Sequence, residues 1–330
     1  MRTFISYMQK ESGTAKPFMK WAGGKGQLLT QLENYLPAQL NGRPFTYIEP
    51  FVGGGAMLFY MLSKHPEIQQ VVINDINSHL ITAYRTIKDK PQDLIKRLAE
   101  KEQQYFALNN EQSKKDFYLE ARCIFNEEYL DDIDRTAYLI FLNRTCFNGL
   151  YRENSKGKFN VPFGRNPHPT ICNENTIMAD SDALNRTKTV ILNGDFAETI
   201  DHLTPGGINF VYLDPPYRPL NATSSFNAYV KENFDDAEQI RLRDFTKKLN
   251  DQLGTYWMLS NSDCSAKNPE DRFFETIYDN FQINRVYASR AINANPSKRG
   301  KLTELLICNY RPENYIMHVA EEPIQYNKTP

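Results

Sequence analysis

The tetrapeptide Asp214-Pro215-Pro216-Tyr217 combines a carboxylate, a rigid backbone and an aromatic ring. Two successive prolines fix φ and remove two N–H donors, so the carbonyl groups of Asp214 and Pro215 are held in a stiff turn. An exocyclic amino group on a nucleobase is a poor nucleophile because its lone pair is delocalised into the ring. The carboxylate and the Pro215 carbonyl can accept hydrogen bonds from both N–H protons of such a group and localise the lone pair, while Tyr217 stacks on the base. The simpler alternative is a strand that ends in a proline-rich turn with a capping aspartate.

The segment before this tetrapeptide predicts the element that positions it. Residues 208–213 are apolar and rich in β-branched and aromatic side chains, and they follow the breaker Pro205-Gly206-Gly207. This pattern is typical of a buried parallel strand. Because ligands of open α/β sheets bind at the carboxyl ends of strands, we expect the tetrapeptide to lie at the ligand-binding edge of a sheet.

A first glycine-rich loop, Trp21-Ala22-Gly23-Gly24-Lys25-Gly26, precedes a predicted helix that ends near residue 36. A triphosphate-binding loop of the Walker type needs serine or threonine after its lysine, and here Gly26 follows Lys25. The sequence therefore excludes that class of nucleotide triphosphatase. The loop itself is compatible with a plain turn and with a binding loop.

A second glycine-rich turn, residues 50–55, lies between a predicted strand at 45–49 and a predicted helix that begins near 56. The next predicted strand, 71–74, ends at Asp75, twenty residues beyond Gly55. An acidic residue at that separation can bind the two hydroxyls of an adenosine ribose. The run Gly53-Gly54-Gly55-Ala56-Met57-Leu58 fails the dinucleotide fingerprint at its last position. An adenosine ligand is therefore favoured over a nicotinamide dinucleotide.

The middle of the chain differs in character from both ends. Charged helical segments at 93–98 and 135–142 lead into residues 143–165, which interleave arginine and lysine with aromatic residues and asparagine. A hairpin turn is predicted at 155–158. Such a segment can contact phosphates, read base edges and insert an aromatic side chain between bases. The alternative is a solvated basic hairpin on a helical insert.

The α/β pattern resumes after this insert. Strands are predicted at 189–193, 255–261, 282–287 and 302–310, with a helix at 237–249. After the first of these strands, Asp195 could accept from an adenine amino group and Phe196 could cover the ring. Residues 218–234 predict a loop over the site, and the basic residues 289–301 predict a second loop for phosphate contact.

Composition sets further limits. The chain has 330 residues and a net charge of −1, which argues against a generic polyanion coat but allows a nucleic-acid enzyme with its basic residues on one face. No apolar run approaches the roughly 18 residues of a membrane span, and the N-terminus lacks a signal-peptide core. We therefore expect a cytoplasmic protein with no membrane partner. Five scattered cysteines without a Cys-x-x-Cys pair predict packing residues, with neither a disulfide framework nor a zinc site.

Taken together, these motifs resemble the DNA adenine-N6 methyltransferases of the alpha group, especially those that methylate GATC. The resemblance covers roughly residues 16–310 and follows the order of the family. Its six motifs are Lys-Trp-Ala-Gly-Gly-Lys at 20–25, Glu-Pro-Phe-Val-Gly-Gly-Gly at 49–55, Asn-Asp-Ile-Asn at 74–77, Phe-Asn-Gly-Leu-Tyr-Arg at 147–152, Phe-Asn-Val-Pro-Phe-Gly-Arg at 159–165 and Asp-Pro-Pro-Tyr at 214–217.

The resemblance implies a role for each matching residue. S-adenosyl-L-methionine would be surrounded by Trp21, Lys25, Pro50, Phe51, Gly53, Gly55, Asp75, Ile76, Asp195 and Phe196. The catalytic residues would be Asp214, Pro215, Pro216 and Tyr217, which hold an adenine flipped out of double-stranded DNA. Lys20 would contact the first guanine, Leu150, Arg152 and Pro162 would read the target, and Phe147 and Asn148 would open the duplex. Arg144, Asn160 and Arg165 complete the expected DNA-binding set, and no metal is implied.

The implied fold is a class I methyltransferase, Rossmann-like, with a mostly parallel seven-stranded sheet and an antiparallel edge hairpin. We expect a flexible arm at 1–15, a catalytic domain at 16–80 and 186–312, an inserted, mainly helical target-recognition domain with a β-hairpin at 81–185, and a tail at 313–330. A monomer or weak dimer in a bacterial or phage-infected cell is expected. A cognate restriction endonuclease could act on the same DNA site without a direct complex.

Three alternatives are left open. The same chemistry could act on a different short DNA sequence. A methyltransferase of RNA or of a protein glutamine amide could use a similar turn, although the protein amide enzymes typically resemble Asn-Pro-Pro-Tyr and position 214 is aspartate. A non-catalytic DNA-binding relative is disfavoured by intact Asp214, Tyr217, Gly53 and Asp75.

Overall fold

A computed structural model describes residues 13–220, 234–288 and 302–312. Its strands are β1 (Phe45–Glu49), β2 (Ile68–Asp75), β3 (Lys188–Asn193), β4 (Ile208–Leu213), β5 (Thr255–Ser262), β6 (Gln282–Ala288) and β7 (Leu302–Cys308). They form a seven-stranded sheet in the order β3-β2-β1-β4-β5-β7-β6. The strand predictions and the class I methyltransferase fold are confirmed.

The helices of the described ranges are α1 (Leu29–Glu33), α2 (Ala56–Lys64), α3 (Ser78–Asp89), α4 (Pro91–Phe106), α5 (Glu111–Glu127), α6 (Asp132–Thr145), α7 (Glu174–Asn185), α8 (Asp236–Asn250), α9 (Cys264–Lys267) and α10 (Phe273–Ile277). The charged segments predicted to be helical lie within α4 and α6. None of the helices in these ranges is both long enough and apolar enough to cross a membrane.

Contacts divide the chain into two compact units, the described parts of Met1–Lys25 with Glu49–His202 and those of Gly26–Ile48 with Leu203–Pro330. The predicted boundaries of the inserted domain at 81 and 185 stay a prediction. The predicted arm and tail, and the loops predicted at 218–234 and 289–301, lie mostly or wholly outside the described residues.

In the first unit, β2 pairs in parallel with β3, and the pair ends with Asp75 opposite Asn193. Helix α6 packs against α3, α4 and α5. Helices α3, α5, α6 and α7 each begin at a side chain that accepts a backbone N–H and so satisfies an otherwise unpaired donor. These N-caps are Asn77, Asn110, Asp131 and Asn173.

In the second unit, β4 pairs in parallel with β1 and with β5, and Val211 lies opposite Trp257. All of β1 and nearly all of β4 is buried, as expected for parallel strands covered on both faces. Strand β7 runs antiparallel to both β5 and β6, which gives the predicted antiparallel hairpin at the sheet edge.

The cysteine prediction holds only in part. Cys146, Cys264 and Cys308 are buried and Cys172 is half-buried, but Cys123 is exposed, so its prediction as a packing residue is wrong. Helix α5 buries Tyr118, Ala121 and Phe125, and position 123 falls on a different side of the helix.

Candidate functional site

The glycine turn after β1 is held from two sides. The Gly53 N–H donates to Asp75 Oδ2 over 3.0 Å, and the hydroxyl of the buried Tyr84 donates to the Gly53 carbonyl over 2.9 Å. Gly55 has φ of 74°, and a Cβ there would meet the Tyr84 hydroxyl and the Phe59 ring. Glycine is therefore required at position 55 both by the positive φ and by the close approach of Tyr84 and Phe59.

Asp75 accepts hydrogen bonds from this turn and keeps further acceptor positions for a ligand. Its Oδ1 accepts from the Asn77 N–H over 2.9 Å. Burial raises the pKa of the carboxyl, while hydrogen bonds from the Asn77 and Gly53 N–H groups act in the opposite direction. Each carboxylate oxygen can accept two hydrogen bonds, so Asp75 can take further donors such as ribose hydroxyls. Beside it, Ile76 is 80% exposed and offers an apolar surface.

Asn74 connects the loops that follow β1 and β3. Its Nδ2 donates to the Pro50 carbonyl over 3.0 Å and to the Gly194 carbonyl over 3.1 Å, and the residue is buried. Its Oδ1 has no hydrogen-bond partner within the described ranges. The sequence analysis missed this role. The available signal was a polar side chain in the otherwise apolar end of β2.

Trp21 lies against both the glycine turn and the middle segment of the chain. Its ring stacks on Tyr151 with centroids 5.0 Å apart. A Cβ built on Gly53 would lie 3.0 Å from Trp21 Cδ1, and one on Gly54 would lie 2.9 Å from Trp21 Cβ. Only glycine leaves room for this indole. Lys25, at the end of the same loop, is buried.

The loop after β3 brings Phe196 and Phe51 together. Their ring centroids are 5.2 Å apart, and Phe196 is only 4% exposed. Asp195 Oδ1 accepts from the Ala197 N–H over 2.9 Å. The expected contacts of Asp195 and Phe196 with an adenine ring stay a prediction.

These residues fit the adenosine part of S-adenosylmethionine. Asp75 has open acceptor positions for hydroxyl groups, and Ile76 exposes an apolar surface beside the carboxylate. Asn74 ties Pro50 to Gly194, which fixes the spacing of the two loops on which the other expected contacts lie.

The tetrapeptide Asp214-Pro215-Pro216-Tyr217 belongs to the second unit and follows β4 directly, as predicted, and its catalytic role stays a prediction. Pro215 is buried and Asp214 is half-buried. The Tyr217 hydroxyl donates to Glu304 Oε2 over 2.8 Å. Burial, together with the charges of Asp214 and Glu304, raises the pKa of Tyr217 well above its ordinary value, so the phenol stays protonated. Glu304 was missed because nothing near it in sequence marks it as a partner of the turn.

Residues 146–163 form the predicted hairpin, called here the recognition hairpin. Antiparallel bridges join Cys146 to Phe163 and Glu153 to Phe159. At its turn, Asn154 Oδ1 accepts from the N–H groups of Lys156 and Lys158. The predicted turn at 155–158 agrees with this arrangement.

Helix α5 fixes the backbone of the recognition hairpin. The Tyr118 hydroxyl donates to the Val161 carbonyl over 2.7 Å, and Arg122 donates to the same carbonyl over 3.1 Å. Asn126 exchanges two hydrogen bonds with the backbone of Phe159. The hairpin is therefore supported by side chains from a neighbouring helix.

Several predicted DNA-binding side chains project from this supported backbone. Phe147 is 51% exposed and Leu150 is 42% exposed, and Arg152 and Pro162 are also exposed. Arg152 Nε donates to Asn160 Oδ1 over 2.7 Å, which holds the guanidinium along the hairpin. Asn148 is exposed and has φ of 57°, the one left-handed non-glycine residue in the described ranges.

Asn143 joins the segment of Lys20 to the start of the hairpin. Its Oδ1 accepts from the Lys20 N–H over 2.9 Å, and its Nδ2 donates to the Lys20 and Gly149 carbonyls. Asn143 is buried. The structure thus brings Lys20 next to the turn that carries Phe147 and Leu150, a link the sequence analysis missed.

Two arginines of the expected DNA-binding set differ in their surroundings. Arg144 is half-buried and donates to the Phe18 carbonyl over 2.6 Å, and burial lowers its pKa. Arg165 is exposed and pairs with Glu111 over 3.2 Å. Arg165 is therefore the more accessible of the two for a phosphate contact.

A mostly parallel seven-stranded sheet, a glycine turn after β1 and an acidic residue at the end of β2 define a class I S-adenosylmethionine-dependent methyltransferase. Residues 21–292 match the family described as D12 class N6 adenine-specific DNA methyltransferase. The chain belongs to this family. It transfers a methyl group from S-adenosylmethionine to N6 of adenine in DNA.

Curated relatives agree with this family. The chain is 46% identical over 299 residues to the Type II methyltransferase M.MjaIII of Methanocaldococcus jannaschii, which covers 89% of this chain and 99% of the relative. It is 38% identical over 309 residues to the Type II methyltransferase M1.LlaDCHI of Lactococcus lactis subsp. cremoris, with 93% and 99% covered. It is 31% identical over 291 residues to the DNA adenine methylase of Vibrio cholerae, with 88% and 95% covered.

Proposed function

We propose that this enzyme methylates the adenine of GATC in double-stranded DNA, after the adenine has rotated out of the duplex. The observation that carries the proposal is the recognition hairpin, whose backbone is fixed by α5 while Phe147, Leu150 and Arg152 project from it. The proposed target sequence, GATC, follows from the resemblance to the family. The positions that match its GATC-reading residues are Lys20, Leu150, Arg152 and Pro162.

The exposed side chains of the recognition hairpin are suited to recognising bases and to opening the duplex. Arg152 can donate two hydrogen bonds to a guanine edge, and Leu150 and Pro162 can contact a thymine methyl group. Phe147 can fill the space of an unstacked base, which lowers the cost of opening the duplex. Because N6 lies within the stacked and paired duplex, the base must leave the stack before methyl transfer.

The turn after β4 then prepares N6 for attack. Asp214 and the Pro215 carbonyl accept hydrogen bonds from its two N–H groups and localise the lone pair, and Tyr217 stacks on the ring. S-adenosylmethionine, when bound, supplies an electrophilic methyl group on its sulfonium. The N6–C bond would form as the S–C bond breaks, S-adenosylhomocysteine would leave with the electron pair of that bond, and one N6 proton would pass through the Asp214 carboxylate to solvent. Asp75 and the glycine turn hold the adenosine part of the donor.

The test is methylation of unmethylated DNA of diverse sequence with S-adenosylmethionine, followed by mapping of modified bases at single-nucleotide resolution. N6-methyladenine confined to GATC is the expected result. Methylation of another motif would keep the chemistry and reject the proposed sequence. Base rotation is tested with 2-aminopurine in place of the target adenine, because its fluorescence rises when it unstacks. An unchanged signal on specific binding would reject that step.

A further inference from the structure

Both backbone groups that flank Tyr217 are bound by buried amide side chains. The Pro216 carbonyl accepts from Gln239 Nε2 of α8 over 3.0 Å. On the other side, the Arg218 N–H donates to Asn261 Oδ1 of β5 over 3.2 Å. Tyr217 is therefore held by its backbone before and after the ring.

The two amides are also bonded to each other. Asn261 Nδ2 donates to Gln239 Oε1 over 3.1 Å, and Asn261 Oδ1 also accepts from the Ser262 N–H over 2.9 Å. The direction of this chain is fixed because the Pro216 carbonyl can only accept, so Gln239 must present its NH₂ group there. Its oxygen is then left for Asn261, whose own oxygen faces the Arg218 N–H.

The burial of this pair is not explained by packing. Gln239 is 1% exposed and Asn261 is 0% exposed. On α8, Gln239 shares its buried face with Leu242, Phe245 and Leu249, where the helical pattern places apolar residues. Buried amides cost free energy unless every group is bonded, and apolar replacements of similar shape are often as stable.

A third bond fixes the far end of the ring. The Tyr217 hydroxyl donates to Glu304 Oε2 over 2.8 Å. Glu304 lies on β7 opposite Ser262 of β5, so the same pair of strands supports the ring tip and the backbone behind it.

We infer that Gln239 and Asn261 are positioning residues that set the plane of the Tyr217 ring for stacking on the target adenine. This inference rests on the proposed role of the turn in holding that adenine. Without the hydrogen bonds of Gln239 and Asn261, the peptide groups on either side of Tyr217 can rotate. The ring then tilts, and the adenine N6 loses its alignment with Asp214 and the Pro215 carbonyl. We therefore expect a lower kcat with little change in Kd, since neither amide belongs to the predicted cofactor or DNA contacts.

The first experiment compares Gln239→Leu with Thr246→Val in the full chain. Thr246 is buried on the same helix and donates to the Arg243 carbonyl, so its substitution removes a buried hydrogen bond without touching the turn. We expect Gln239→Leu to lower kcat about 100-fold, as a misplacement near 1 Å can do, with unchanged Kd for S-adenosylmethionine and for duplex DNA. Thr246→Val should keep kcat.

A fluorescence measurement and a pH profile of kcat separate a positioning role from a role in stability. With 2-aminopurine at the target position, Gln239→Leu should give a brighter specific complex than wild type because the base stacks less well on Tyr217. For Gln239→Glu, kcat should rise as pH falls relative to wild type. Only the protonated carboxyl can donate to the Pro216 carbonyl and still accept from Asn261, and burial moves its pKa upward.

The outcomes distinguish this inference from the proposed function. Wild-type methylation of GATC in the same assay tests the function. If wild type is active and Gln239→Leu keeps wild-type kcat and fluorescence, the inference is overturned while the function stands. A Gln239→Glu profile parallel to that of wild type would also overturn it.

Discussion

The ring of Trp21 stacks on the ring of Tyr151, with centroids 5.0 Å apart and an angle of 25° between their planes. Trp21 also covers the glycine turn after β1, and Tyr151 lies within the recognition hairpin. The expected cofactor contacts and the hairpin therefore share one aromatic pair.

Replacement of Tyr151 by leucine should weaken S-adenosylmethionine binding. The substitution removes the stacked partner that holds the indole in place, and an aromatic pair contributes about 0.5–1.5 kcal/mol beyond its buried area. Isothermal titration calorimetry measures the change in Kd. Tyr129→Leu is the matched control, because Tyr129 is 98% exposed. An unchanged Kd in Tyr151→Leu would show that Trp21 keeps its position alone.

Gly55→Ala should destabilise the fold by about 1–3 kcal/mol, since an alanine at positive φ is strained and its Cβ meets Tyr84 and Phe59. Denaturant unfolding gives the free energy of unfolding. Gly26→Ala is the control because a Cβ there meets nothing within 4 Å. Equal stabilities for the two variants would contradict the close packing described around Gly55.

Asp214→Ala should abolish methyl transfer while Kd for cofactor and duplex stays near wild type. In the proposed mechanism the carboxylate acts on N6 at the moment of transfer, and removal of one such group costs roughly 100-fold or more in kcat. Single-turnover methylation gives the rate, and Asp251→Ala, at an exposed position, is the control. Substantial residual turnover would remove Asp214 from the assigned role.

Arg152→Ala should cost about 1–3 kcal/mol of discrimination at one base pair of the target. The comparison is kcat/KM on GATC and on duplexes with single-base changes. Lys156→Ala, at the exposed turn of the same hairpin, is the control, and we expect it to weaken binding of all sequences equally, as the loss of a phosphate contact would. A uniform loss for Arg152→Ala would assign it to the backbone instead.

The buried Asp180 should make stability fall as pH rises. Burial raises its pKa from 3.8 to about 8, and the Lys16 N–H donates to its Oδ1. The folded state therefore keeps a proton that the unfolded state loses. The resulting stabilisation is complete below about pH 4 and is lost by about pH 8, with a slope of up to about 1.4 kcal/mol per pH unit.

Asp180→Asn keeps the acceptor for Lys16 and removes the titration. Thermal unfolding of both proteins between pH 5 and pH 8, which covers about three quarters of this window, should show a flatter dependence for the variant. Parallel curves would mean that Asp180 is ionised in the folded protein.

The strands were predictable because their signals are local. The apolar runs that form β1, β4 and β5 are bounded by glycine, proline or polar turns. The bounds predicted for the strand at 208–213 are those of β4 in the structure. Helices α5 and α7 were not outlined, since their surfaces are strongly polar. Their N-caps, Asn110 and Asn173, each followed by glutamate, were the signals that could have marked them.

The glycine turn, Asp75 and the tetrapeptide were found because they carry recognisable chemistry at fixed spacing. The residues that hold them were not. Asn143 binds Lys20 across 123 positions, and Gln239 binds Pro216 across 23. A lone amide in a helical or strand pattern gives no indication of a partner that only folding brings near.

The hydrogen bonds from α5 to the backbone of the recognition hairpin have an evolutionary consequence. Tyr118, Arg122 and Asn126 bind backbone carbonyls of residues 159 and 161, and these bonds do not depend on which side chains face outward. Leu150 or Pro162 can therefore be exchanged without altering the path of the chain. Under the proposed role of the hairpin, the target sequence can therefore change through substitutions at its exposed positions, while the residues that would bind the cofactor and the target adenine stay as they are.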